Sequence, residues 1–145
     1  MRVVGVDLGT RRVGIAVSDS GGRVAIPHTV MVRTGDDTAD RARLIAVIGD
    51  LEAEAVVVGL PLSLDGSTGP AAQWATDEAE VLRSLLDVPL ELHDERLSTV
   101  TALRAPVLGG GRKARRKPVD GQAAAVMLQS WLDGRQRAPE EATAP

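Results

Sequence analysis

A chain of 145 residues with 26% charged side chains and a net charge of −3 has enough length for one domain with a real core and too little for two comfortable ones. The absence of Cys excludes disulfides, thiolate zinc sites and a cysteine nucleophile, and the only two His, His28 and His93, match no metal spacing, so any metal must be held by oxygen. The longest apolar run, Ala55 to Leu62, is far below a membrane span, and Asp7 interrupts the N-terminus before a signal-peptide core could form, so a soluble cytoplasmic protein is expected.

In chain order, the apolar run Val3 to Leu8 predicts a strand with both faces buried, and Arg12 to Ser18 alternates Val13, Ile15 and Val17 with smaller or polar residues as a second strand should. Only a short turn separates them, so they pair as an antiparallel hairpin. Ser20, Gly21 and Gly22 make the next turn, and Val24 to Val32 gives a third strand. The period then changes. Asp36, Asp37 and Thr38 are cap candidates for a helix whose apolar residues Leu44, Ile45, Val47, Ile48 and Leu51 fall at helical spacing.

Ala55 to Val58 reads as a buried strand, followed by the loop "GLPLSLDGSTGP". Ser67 or Thr68 is the expected cap of a helix that begins near Pro70 and runs through Leu82, Leu85 and Leu86. Leu90 to His93 is a fifth strand. A short helix from Ser98 is stopped by Pro106, and a last helix from Val119 to about Asp133 carries Ala123, Met127 and Trp131 on one stripe. Three antiparallel strands followed by alternating helix and strand predict an α/β protein with a mixed five-stranded sheet and helices on both faces. The expected domain spans residues 1–134, with residues 135–145 a disordered tail.

Asp7 raises the first chemical question, because a carboxylate in a buried strand costs several kcal/mol unless a partner or a cation meets it. Two further acids stand at the ends of predicted elements: Glu95 in "HDERLST", beside Asp94, and Asp120 in "KPVDGQAAA". In open α/β sheets functional groups gather outside the carboxyl ends of the strands, so the three could converge. Three uncompensated carboxylates would repel, whereas Mg²⁺ or Mn²⁺ takes oxygen ligands and polarises a phosphoryl group, and two such ions about 4 Å apart suit phosphodiester hydrolysis. Taken singly, each acid also has a structural reading: Asp7 bonding backbone amides, Asp120 capping a helix, Glu95 pairing with Arg96.

Charge distribution adds a second feature. From Arg96 to Lys117 the chain has seven basic residues (Arg96, Arg104, Arg112, Lys113, Arg115, Arg116 and Lys117) and no acid. Within it "APVLGGGRKARRKP" reads as a Gly-rich loop suited either to solvent or to phosphates. With Trp74 and Trp131 the only aromatics, a single-strand platform built on base stacking is not expected.

The opening "VGVDLGT" is similar to the phosphate-binding hairpin of actin-like and sugar-kinase ATPases, but those enzymes close two lobes around a nucleotide and this chain has length for one. Four motifs in order, "VDLGTRRVGIAVSD", "VVGLPLSLDGSTGP", "DERLSTVTA" and "VDGQAAAVMLQSWL", resemble the YqgF family, also called RuvX, over Val3 to Leu132. The resemblance implies an RNase H-like fold and a nuclease, described for the family as a Holliday junction resolvase or as a processor of the small-subunit rRNA precursor. It implies that Asp7, Glu95 and Asp120 bind the catalytic Mg²⁺ or Mn²⁺. Thr10, Arg11 and Arg12 on the first turn, with Arg96, Arg112, Lys113, Arg115, Arg116 and Lys117, are then expected to hold phosphates. Expected partners are pre-rRNA or branched DNA and ribosomal precursor particles, with the chain a monomer, or a weak homodimer, and no apolar face left over. A binding protein for nucleic acid or ribosome assembly that has kept the fold with little catalysis is the reading from a different class. Where the family continues past Asp120 with a polar and then an aliphatic residue, this chain has Gly121 and Gln122, which is expected to soften the first turn of the last helix.

Overall fold

The computed structural model describes residues 1–61, 69–94 and 121–137. Within them one sheet is built from β1 (Val3–Leu8), β2 (Arg12–Ser18), β3 (Ala25–Val32), β4 (Ala55–Leu60) and β5 (Leu90–Asp94), and three helices are α1 (Asp37–Asp50), α2 (Pro70–Leu85) and α3 (Gln122–Arg137). The strand order is β3-β2-β1-β4-β5, with the first three antiparallel and β1, β4 and β5 parallel. Two-residue alternation sorts the side chains. Val4, Val6, Val13, Ile15 and Val58 face Leu44 and Ile48 of α1 and Ala79 and Leu82 of α2, while Val3, Ala16 and Val57 face Leu128 and Trp131 of α3. Burying both faces explains why β1 and β4 read as unbroken apolar runs.

The mixed sheet with helices on both faces agrees with the sequence pattern, and the bounds of β1 and β2 coincide with it. Asp36 caps α1 as expected, accepting the Ala39 N–H at 3.1 Å. Other details differ. Gly69, with no side-chain cap bond, is the N-cap of α2, because Pro70 takes the first helical position and needs no N–H partner. Ser67 and Thr68, and the expected helix from Ser98, lie outside the described residues.

The buried stripe of α3 runs through Ala124, Met127, Leu128, Trp131 and Leu132, and Ala123 is exposed. The described helix starts at Gln122, the expected start at Val119 lying outside the described residues, and α3 continues past Gly134 to Arg137, with the Arg135 guanidinium 4.9 Å over the Trp131 ring. In β3 the pairing shifts between Ile15↔Thr29 and Ala16↔Pro27, so His28 is the extra residue of a bulge rather than an ordinary strand residue. That edge strand and its approach expose Val24, Ile26 and Val32, an apolar edge where none was expected. Pro27 and the bulge interrupt the row of groups that could pair with another strand.

Candidate active site

Asp7 lies one residue from the carboxyl end of β1, opposite Gly14 of β2. Alternation puts it on the α3 side with Val3, since Val4 and Val6 belong to the core under α1 and α2. Gly14 has no side chain to shield it, and the Cβ of Asp7 stands 3.6 Å from where a Gly14 Cβ would be. The carboxylate therefore opens into a cavity of about 180 Å³ lined by Gly9, Arg12, Val30 and residues Gly121 to Ala124 at the start of α3. Burial pushes the Asp7 carboxyl above the usual aspartate range, and among the described residues no compensating hydrogen bond or charge opposes that shift. Among the described residues no donor meets Asp7. The reading in which Asp7 bonds backbone amides finds no support in this geometry.

The wall opposite Asp7 is set by Gly121. Its φ of +77° is a conformation that side chains rarely adopt, and a Cβ there would lie 2.4 Å from the Ile15 carbonyl oxygen and 3.1 Å from the His28 nitrogen. Its carbonyl accepts the Ala125 N–H at 2.8 Å, the first bond of α3. Gly121 therefore locks the entry of α3 into the β2–β3 bulge, and the expected softening is instead a fixed turn. The only signal for this in the sequence is the Gly itself; the bulge that receives it depends on pairing between β2 and β3.

The Gly9–Arg12 turn closes the site on the strand side. A Cβ on Gly9 would lie 2.5 Å from the Arg12 carbonyl oxygen, so the turn is tight, and it leaves Thr10, Arg11 and Arg12 exposed with Arg12 lining the Asp7 cavity. Across the sheet, β4 and β5 pair Gly59 with His93 and Leu60 with Asp94. His93 is held on the α3 side, its Nε2 3.1 Å from Ser130 Oγ, and burial lowers its pKa against the opposing pull of Asp94 and Glu91. Asp94 follows it on the sheet and so projects to the other face, away from Asp7. Glu95, Arg96, Arg112, Lys113, Arg115, Arg116, Lys117 and Asp120 lie outside the described residues, and among the described residues no three potential metal ligands meet. No helix among the described residues is long and apolar enough to cross a membrane.

Comparison with known proteins places the chain in a family and a fold. A "Putative pre-16S rRNA nuclease" of Anaeromyxobacter dehalogenans (strain 2CP-C) is 46% identical over 136 residues, covering 93% of this chain and 98% of that protein. A protein of the same description from Myxococcus xanthus (strain DK1622) is 46% identical over 134 residues, covering 92% of this chain and 88% of its own length. The Thermus thermophilus RuvC structure in complex with a Holliday junction substrate superposes with a TM-score of 0.64 at 19% identity, over 94% of this chain and 96% of RuvC. A second T. thermophilus RuvC structure gives 0.61 at 16% identity, over 94% of this chain and 97% of RuvC. The shared architecture is RNase H-like. Residues 1–134 match the RuvX family, described as Holliday junction resolvase, and the chain belongs to that family.

Proposed function

We propose that the protein is a metal-dependent endonuclease that cuts phosphodiester bonds in structured nucleic acid and processes the precursor of 16S rRNA. One observation carries the reading: Asp7 is a largely buried carboxylate without a protein partner among the described residues, opening on a cavity at the carboxyl end of the central strand. A hard cation is the group that such an oxygen donor fits, so Asp7, with Glu95 and Asp120, would hold Mg²⁺ or Mn²⁺. Two described neighbours support the other two ligands. Gly121, next to Asp120, lines the Asp7 cavity, and His93, two residues before Glu95, shares the face of Asp7 while Asp94 does not. When bound, the ions would supply Lewis-acid polarisation of the phosphoryl group. The chain's own residues do the rest: Arg12 and the exposed Thr10 and Arg11 take backbone phosphates beside Asp7, and Arg96 with the basic run Arg112 to Lys117 extends that grip along the strand. The relatives named for pre-16S rRNA processing favour the rRNA precursor as substrate, with the ribosomal precursor particle as its setting.

The family's description and the likeness to RuvC favour a second reading, resolution of a four-way DNA junction. Paired, symmetric nicks need two sites and so a two-fold dimer. A cleavage panel of rRNA precursor, duplex DNA and four-way junctions with Mg²⁺ and Mn²⁺, combined with sedimentation at micromolar concentration, separates the two. Single cuts in the precursor by a monomer, lost in Asp7→Asn, are the expected result. A stable dimer that nicks junctions symmetrically and leaves the precursor intact would establish the second reading. Binding of either nucleic acid without metal-dependent cleavage would establish a non-catalytic assembly factor.

A further inference from the structure

The face of the sheet opposite Asp7 carries buried charge that the proposed chemistry does not use. Arg33, the residue after β3, has a side chain only 8% exposed, and its guanidinium lies 5.3 Å over the Trp74 ring on α2. From that platform Nη2 donates to Asp37 Oδ1 at 3.1 Å, Nε stands 3.7 Å from Asp40 Oδ2, and Nη1 reaches the Gly9 carbonyl at 3.4 Å. The Arg33 backbone N–H donates to the Arg11 carbonyl at 2.8 Å. Asp40 is itself tied down, accepting the Thr34 N–H at 3.0 and 3.1 Å and the Thr34 hydroxyl at 2.9 Å. Burial pushes the Asp40 carboxyl up, but the bonds from Thr34 and Gly35 and the charge of Arg33 hold it below the usual range, so it remains an anion opposite Arg33.

Stability alone does not account for this arrangement, because buried ion pairs roughly break even against apolar packing of the same volume. Its geometry points elsewhere. Arg33 joins the end of β3, the first turn of α1 and the ring of Trp74, and the two groups it bonds on the Gly9–Arg12 turn are the carbonyls on either side of Thr10. A planar fork resting on a ring can meet Gly9 and Asp37 together, which a lysine ammonium in the same place cannot.

We infer that Arg33 is a positioning residue: it fixes the Gly9–Arg12 turn from behind, so that Thr10, Arg11 and Arg12 are pre-set to receive nucleic-acid phosphates beside Asp7. The role in binding rests on the nuclease reading above; the ordering of the turn does not. Hydrogen exchange on the full metal-free chain reads the second directly. Arg33→Lys keeps the charge opposite Asp40, and the backbone amide at position 33, whose bond to the Arg11 carbonyl ties down the turn, is expected to exchange about tenfold faster while Val56 to Val58 of β4 keep their protection. Asp37→Ala, which removes an exposed anchor of the fork, is expected to give a smaller rise at the same amide. No rise in either variant, or an equal rise at that amide and in β4, overturns the inference.

Binding to a short RNA duplex in Ca²⁺, compared for Arg33→Lys, Arg12→Ala and the double variant, reads the first. Arg33→Lys should weaken binding roughly fivefold and add little to Arg12→Ala, as residues acting through one network do. Independent, additive losses overturn the inference. A wild-type chain that binds no nucleic acid overturns the nuclease reading instead, and the exchange result still decides the turn.

Discussion

Replacing Asp7 by Asn separates a metal ligand from a structural acid, and the structure sets the direction. The carboxylate is largely withdrawn from water and nothing among the described residues compensates it, so its folded-state pKa lies above its unfolded value. For an acid shifted that way the native state holds its proton to higher pH than the unfolded state. Its contribution is therefore complete below the unfolded aspartate range and is lost as pH rises through the folded pKa. At a pH of about 7.5 in chelator the wild type carries that penalty and Asp7→Asn does not. Relieving a partly buried charge while leaving a polar amide is worth about 1 kcal/mol, toward the lower end of the measured cost of burying polar groups. For a domain of this size that raises the melting temperature by about 2–4 °C. Scanning calorimetry from about pH 3 to 8 should show the two proteins converging in acid and Asp7→Asn pulling ahead toward neutrality. Saturating Mn²⁺ should reverse the order, since ligand at a hundredfold excess over its Kd stabilises the wild type by about 2.7 kcal/mol and the variant by much less. A loss of several degrees for Asp7→Asn in chelator, or an equal Mn²⁺ shift in both proteins, would refute this reasoning.

Three other outcomes follow from named residues. Gly121→Ala places a Cβ 2.4 Å from the Ile15 carbonyl at a φ of +77°, so a loss of about 2–4 kcal/mol is expected in chemical denaturation, from backbone strain and overpacking together. Glu78→Ala strips the bidentate partner, at 2.7 and 3.0 Å, from a partly buried Arg41; urea melts should show a loss of about 1–3 kcal/mol, below the full cost of breaking a buried pair because Arg41 keeps some access to water. Changing Arg112, Lys113, Arg115, Arg116 and Lys117 together to Ser should weaken nucleic-acid binding whatever its sequence and flatten the log–log salt dependence by about 0.7–0.9 for each phosphate no longer neutralised, whereas an unchanged slope would make the segment a solvated loop.

Much of the fold is legible in local pattern. β1 and β2 can be delimited from alternation and apolar runs because a strand's side-chain period is a property of the strand itself, and the change to helical spacing at Leu44 marks α1 for the same reason. Asp7 likewise stands out by type and place, a charge inside an apolar run. Its lack of a partner among the described residues does not, since that depends on what Gly14 leaves open and on how α3 approaches. The stripe on α3 is displaced from Ala123 to Ala124 because the helix begins where Gly121 locks into the bulge at His28, and the bulge arises from pairing between strands. The joining of Arg33 to Gly9, Asp37 and Trp74 spans segments far apart in the chain. Period and composition are written residue by residue, but register, close approach and the absence of a partner exist only between elements, and they come into being when the sheet and its helices pack.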